Sequence, residues 1–129
     1  MGKSFLDKIV NTTHNFFQVV SMPKGELVIR GRFEWFSEKD ELNVKNHGFS
    51  FEQILDVFDD PYFYEIYDTG HSMLNQTRYN GFGYAEGKVQ VVQVVYTEEK
   101  RTHIISARPA TSGERKLYYE RLREIYSEM

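Results

Sequence analysis

The sequence of 129 residues predicts a single α+β domain spanning residues 1–129. Apolar side chains recur at helical spacing near both ends of the chain. Between them lie alternating segments and a β-branched run, Val89 to Val95, which is typical of a central strand. No internal repeat or linker interrupts the sequence. We therefore expect an antiparallel β-sheet with an N-terminal helix, two short helices after the first strand and a C-terminal helix.

The first helix and the first strand are predicted from two different periodicities. Residues 4–20 repeat apolar side chains at helical spacing, and Ser4 is a suitable cap. Met22 to Gly25 break that pattern. Residues 26–36 then alternate, which predicts one strand with one buried face. Its apolar side chains are Leu27, Ile29, Phe33 and Trp35.

Two short helices are expected to follow this strand. Ser37 begins a polar helix that ends near Gly48, since glycine suits the left-handed conformation that closes many helices. Ser50 and Gln53 have the spacing of a capping box, which predicts a second helix. The Asp-Asp-Pro sequence ending at Pro61 stops that helix.

The second half of the chain predicts the rest of the sheet and the last helix. Alternation and turn residues indicate strands at residues 62–68, 77–84, 88–97 and 102–107. The second and third of these form a hairpin. Thr111 and Glu114 form another capping box, which begins the C-terminal helix. One side of that helix carries Leu117, Tyr118, Leu122, Ile125 and Tyr126.

Composition excludes several classes of protein. The absence of cysteine removes disulfides, thiolate metal sites and cysteine nucleophiles. No apolar run approaches the roughly 18–20 residues that span a bilayer, and the N-terminus lacks a signal-peptide pattern. We therefore expect a cytoplasmic protein that does not contact membranes.

The net charge of −3 is unevenly distributed. Residues 100–123 contain 7 Lys/Arg against 2 Asp/Glu, whereas residues 34–68 contain 2 Lys/Arg against 10 Asp/Glu. The basic segment permits a local phosphate site, although the acidic remainder argues against indiscriminate nucleic-acid binding. The acidic stretch is either a solvated face or a surface that receives a basic partner segment.

Metal chemistry is poorly supported by the sequence. The four histidines are far apart and show no paired-ligand spacing. Asp56, Asp59 and Asp60 cluster, but they fit no calcium-binding loop. We expect neither a metal nor another cofactor.

A series of short motifs resembles the BrnT family of toxins over residues 32–120, leaving residues 1–30 as an N-terminal extension. The matching residues, in order, are Phe33-Glu34-Trp35, Lys39, Asn43, His47-Gly48, Ser50-Phe51-Glu52, Val57-Phe58-Asp59-Asp60-Pro61, Arg78, Gly83, Val94-Val95-Tyr96-Thr97-Glu98, Ile104-Ile105-Ser106-Ala107-Arg108, Glu114 and Tyr118-Tyr119-Glu120. Each motif alone is weak, and their shared order and spacing carry the resemblance.

The resemblance implies a ribonuclease toxin of a bacterial toxin–antitoxin module, with a RelE-like fold. It also implies inhibition of translation and a protein antitoxin resembling BrnA, which carries the DNA-binding part. Two roles are open for the extension of residues 1–30: it packs on the sheet, or it mediates homo-oligomerisation.

Two positions differ from the family pattern. Asn46 stands where the family usually has Lys, and His103 stands where it usually has Arg. Both differences remove a fixed cation. They leave open a catalytically weakened protein or a non-catalytic binding module on the same scaffold. An enzyme acting on small phosphorylated ligands is a third alternative.

Metal-free RNA cleavage needs a base for the ribose 2′-hydroxyl, an acid for the leaving 5′ oxygen and cations for the phosphate. Arg108 is the first candidate for the phosphate contact, because it lies at a strand end just before a helix N-terminus. Its alternative is an ion pair with Glu114. Arg78 is the second candidate, with a cross-strand salt bridge as its alternative.

The remaining candidates would move protons or contact RNA. His47 exchanges protons near neutral pH, unless it only closes a helix end. Glu98 is a candidate base, with a solvated turn as its alternative. Tyr96, His103 and Arg101 are candidates for RNA binding. Tyr96 could instead be a core aromatic, and His103 could simply face solvent or a neighbouring aromatic.

Overall fold

The computed structural model describes residues 25–70, 72 and 76–128. The predicted helix over residues 4–20 and the two roles considered for the extension lie outside the described residues. The elements are β1 Leu27–Arg30, β2 Phe33–Phe36, α1 Ser37–His47, a 3₁₀ helix Phe51–Asp59, β3 Tyr64–Tyr67, β4 Arg78–Ala85, β5 Gln90–Glu98, β6 Thr102–Pro109 and α2 Ser112–Ser127. A short 3₁₀ turn, Glu86–Lys88, joins β4 to β5.

The predicted α+β class is confirmed, and the described strands form one sheet of order β1-β2-β6-β5-β4-β3. The sheet is mixed, so the prediction of an antiparallel sheet is only partly correct. Strand β2 runs parallel to β6, with Phe33 beside Thr102 and Glu34 beside His103. The other four pairings are antiparallel. The family resemblance also implied a RelE-like fold, and this implication stays a prediction.

The prediction of one strand over residues 26–36 is wrong. The segment is a hairpin of β1 and β2, with Arg30 beside Phe33 and a turn at Gly31, whose φ is +59°. Glycine adopts that left-handed conformation without steric cost. The turn places Leu27 and Ile29 on the opposite face from Phe33 and Trp35, and both are exposed, at 45% and 44%.

The core lies on one side of the sheet, here called the core face. Its buried strand residues include Trp35, Val92, Val94, Tyr96 and Ile104, which pack against Phe51, Ile54 and Val57 of the 3₁₀ helix. This helix approaches β4 so closely that a Cβ on Gly83 would lie 2.6 Å from the Val57 carbonyl oxygen. Glycine is therefore required there by contact.

Helix α1 ends as predicted, with Gly48 in the left-handed conformation at φ +82°. The buried Asn43 fixes this helix beside β6. Its Oδ1 accepts a hydrogen bond from the Ala107 N–H at 3.0 Å, and its Nδ2 donates to the Phe49 carbonyl at 3.0 Å. Asn43 thereby satisfies backbone groups where the sheet pairing of β6 with β2 has stopped.

The opposite side of the sheet, here called the second face, is covered at one end by α2. Tyr118 packs there with Val91 and Ala110. The predicted capping boxes at both helix starts are present. The apolar side predicted for α2 is only partly buried, because Leu117 and Tyr126 are exposed. None of the helices in the described ranges is both long and apolar enough to cross a membrane.

Candidate functional site

Four polar side chains form a row across the second face at the end away from α2. Strand register aligns Arg78 of β4 with Thr97 of β5, Thr97 with His103 of β6, and His103 with Glu34 of β2. Residues opposite each other in register project from the same face. Since adjacent strands lie about 4.8 Å apart, Arg78 and His103 stand about 10 Å apart across Thr97. We call these four residues the polar row.

His103 and Glu34 are in direct contact within this row. The Nδ1 atom of His103 lies 2.8 Å from Glu34 Oε2, and each side chain is 20% exposed. The Phe36 ring meets the imidazole edge-on, with centroids 5.1 Å apart. A carboxylate on one ring nitrogen orients the imidazole. Because no bond to Nε2 occurs within the described residues, that nitrogen can exchange a proton with a ligand.

Two cations flank this pair. Arg101 NH1 lies 3.8 Å from Glu34 Oε1, so it is an ion-pair partner beyond hydrogen-bond distance. At the other end of the row, Arg78 is half-buried, and no carboxylate among the described residues pairs with its guanidinium. Its backbone is fixed instead, because its N–H donates to Ser72 Oγ at 3.0 Å. The cross-strand salt bridge considered for Arg78 is absent from the described part of the chain.

Arg108 lies on the same face as the polar row, opposite Gln93 in register. Its two terminal nitrogens donate to the two carboxylate oxygens of Glu114 at 2.8 and 3.0 Å. Glu114 Oε1 also accepts from the Thr111 N–H at 2.8 Å and so completes the helix cap. The hydrogen bonds from Arg108 lower the pKa of Glu114, and Glu114 raises the pKa of Arg108.

The ion pair considered as the alternative for Arg108 is therefore present. It fastens the end of β6 to the start of α2. The phosphate contact proposed for Arg108 stays a prediction, and it requires this bidentate pair to open.

The structure does not bring the other candidates to the polar row. Tyr96 is a buried core-face residue whose hydroxyl donates to Glu65. Its burial raises the pKa of the Tyr96 hydroxyl, and the hydrogen bond with Glu65 raises it further. Glu98 lies on the same side as Tyr96, where Oε1 accepts from the Thr102 hydroxyl at 2.7 Å. His47 is exposed at the end of α1. Their roles in chemistry or RNA binding stay predictions.

Sequence reasoning missed two members of the row, Glu34 and Thr97. Glu34 belongs to a motif that matches the family, but the sequence gives no sign of the parallel pairing that brings it to His103. Thr97 lies in another family-matching run, but nothing in the sequence distinguishes it there from its strand neighbours.

A cleft of about 490 Å³ lies between the end of the 3₁₀ helix and α2. It is lined by Asp56, Asp59, Asp60 and Glu86, together with tyrosines of β4 and α2. Tyr84, at this end of β4, is six residues from Arg78, so the cleft lies about 20 Å along the sheet from the polar row. Within the described ranges, no group of three or more His, Asp or Glu side chains is arranged to hold a metal ion.

Comparison with known proteins now adds to this geometry. Residues 35–114 match the family model described as the ribonuclease toxin BrnT of type II toxin–antitoxin systems. That match covers more than half of the chain, and the protein belongs to the BrnT family. Membership implies a ribonuclease toxin that has an antitoxin partner. No curated protein matches the sequence.

Proposed function

We propose that the protein cleaves RNA without a metal ion and that the polar row is its catalytic site. The observation that carries the proposal is the contact of 2.8 Å between Glu34 and His103, on the same face as the Arg78 guanidinium, which pairs with no carboxylate of the described ranges. This arrangement combines an oriented proton-transfer group with a cation at a distance suited to one phosphate group between them.

In the proposed reaction, His103 Nε2 takes the proton of a ribose 2′-hydroxyl. The 2′ oxygen forms a bond to phosphorus as the bond from phosphorus to the 5′ oxygen breaks. The leaving 5′ oxygen takes a proton from an acid or from water. Arg78 and Arg101 stabilise the negative charge that develops on the phosphorane.

The products of this reaction are a 2′,3′-cyclic phosphate and a 5′-hydroxyl. DNA resists cleavage because it lacks the 2′ nucleophile. His47 and Glu98 lie away from the polar row, and their predicted roles in proton transfer stay predictions, as does the phosphate contact of Arg108.

We further propose that cleavage acts on RNA of the cytoplasm and inhibits translation, and that an antitoxin resembling BrnA restrains it. The acidic cleft suits a basic antitoxin segment, because four carboxylates line it. Among the described residues, one of these carboxylates already has a cationic partner: Arg32 lies 3.1 Å from Asp59. Co-expression tests the toxin role, since growth should stop with the protein alone and resume with its antitoxin.

Cleavage of a fluorescent ribo-oligonucleotide by purified protein tests the catalytic assignment. We expect His103→Ala and Arg78→Ala to lose cleavage. Arg30→Ala is a matched control, because Arg30 is also a strand arginine but lies on the core side of the sheet, away from the polar row. There it forms an exposed ion pair with Glu52. Binding without cleavage in the wild-type protein would instead support the binding-module alternative. Equal cleavage by all variants would refute the polar row as the site.

A further inference from the structure

The hydroxyl of Thr97 is unusual within the polar row. Thr97 is only 2% exposed, and its Oγ1 atom is buried without a hydrogen-bond partner among the described residues. Most buried polar side-chain atoms in proteins are hydrogen-bonded, and an unpaired one costs folding free energy. Packing does not explain this choice of residue, because valine has the same shape and already occupies four positions of β5.

The neighbours of Thr97 suggest what the hydroxyl is for. It lies at the centre of the row, with Arg78 on one side and His103 on the other. Its side chain is the shortest of the three, so it forms the floor between two longer groups that can donate hydrogen bonds. Because Oγ1 is buried in the free protein, an anion held between Arg78 and His103 meets this hydroxyl only when the side chains that cover it move aside.

We infer that Thr97 is a further substrate-contacting residue, whose hydroxyl donates a hydrogen bond to a non-bridging oxygen of the scissile phosphate. The inference rests on the function proposed for the polar row. The phosphate oxygen supplies the acceptor that Oγ1 does not find in the described part of the chain. Arg78 can move onto the same anion, because no ion pair with a described residue holds its guanidinium elsewhere. A hydrogen-bond donor that is already in position before the reaction stabilises the phosphorane, because the donor itself does not have to reorient as charge develops.

The test compares Thr97→Val, which keeps the shape and removes the hydroxyl, with Thr97→Ser, which keeps the hydroxyl. We expect Thr97→Val to unfold at the same temperature as wild type or higher, because an unpaired polar atom is removed. Its kcat/KM on RNA should fall by about 100-fold, as when one donor to a developing oxyanion is removed. Thr97→Ser should recover most of this loss.

Thr102→Val is the matched control for stability. Thr102 is also buried, but its hydroxyl donates to Glu98 at 2.7 Å. Removing a hydrogen bond that is made should lower the unfolding temperature, in contrast to Thr97→Val. A large loss of stability in Thr97→Val would show that its hydroxyl is paired in solution, and it would overturn the inference.

A binding measurement separates this inference from the proposed function. The probe is a single-stranded DNA oligonucleotide, which carries phosphates but lacks the 2′-hydroxyl. We expect Thr97→Val to bind it more weakly than wild type, whether or not the wild type cleaves RNA. If the wild type cleaves RNA and Thr97→Val cleaves it with the same kcat/KM, only the role of Thr97 is refuted. A wild type that neither cleaves RNA nor binds the probe would overturn both.

Discussion

Replacing Glu34 by Gln probes how the imidazole of His103 is held. The substitution keeps the size of the side chain but removes the carboxylate 2.8 Å from Nδ1. Arg101 lies 3.8 Å from the other oxygen, so the loss should fall mainly on the histidine. Carboxylates that orient metal-bound histidines contribute 10- to 100-fold, and we expect a similar loss here, about 1.4–2.7 kcal/mol of transition-state stabilisation. Removing the histidine itself should cost about 10²- to 10⁴-fold.

The assay is the steady-state cleavage of a ribo-oligonucleotide, with kcat and KM measured separately. We expect Glu34→Gln to lower kcat with little change in KM, since Glu34 acts through His103 and does not contact the substrate. Glu34→Asp should recover part of the rate, which a merely structural role would not predict. Glu52→Gln serves as the control, because Glu52 pairs with Arg30 in an exposed position. Unchanged kcat in Glu34→Gln, together with an inactive His103→Ala, would refute the orienting role.

Three further predictions concern stability. Glu114→Gln should destabilise the fold by about 1 kcal/mol in urea unfolding, because it removes the charge that pairs with Arg108, whereas glutamine can still accept the hydrogen bond from the Thr111 N–H in the helix cap. Since the pKa of Glu114 is lowered from 4.5 in the folded protein, its contribution is present above the unfolded-state pKa and is lost as pH falls through the folded value. The difference between this variant and wild type should therefore disappear in acid, and a difference that persists there would contradict the assignment. Asn43→Ala should cost about 2–4 kcal/mol, because two buried backbone groups lose their partner; a cost below 1 kcal/mol would be inconsistent with burial of both bonds. Gly83→Ala should lower the thermal midpoint, because its new methyl group would meet the Val57 carbonyl at 2.6 Å, and an unchanged midpoint would mean that the 3₁₀ helix moves freely.

Local signals in the sequence predicted most elements of the fold, since helix caps and strand alternation depend on neighbouring residues. The capping boxes at Ser50 and Thr111 and the glycine closure at Gly48 are confirmed. The hairpin of β1 and β2 was missed because apolar residues continue on both sides of its short turn. The antiparallel register of Arg30 with Phe33 and the φ of Gly31 reveal that the chain reverses there.

Long-range pairing explains what the sequence could not predict about the site. The parallel contact of β2 with β6 joins residues 69 positions apart, and it places Glu34 beside His103. Nothing local to either residue indicates this neighbour. The ion pair between Arg108 and Glu114, by contrast, spans six positions, and it could be foreseen as an alternative from the strand end and the helix start.

The nature of the RNA ends formed by wild-type protein and by His103→Ala tests the central claim most directly. A synthetic ribo-oligonucleotide is incubated with each protein in excess chelator, and the fragments are identified by mass spectrometry. The polar-row mechanism predicts 2′,3′-cyclic phosphate and 5′-hydroxyl ends with wild type, and intact RNA with His103→Ala. Fragments with 5′-phosphate ends, or equal cleavage by the two proteins, would contradict it.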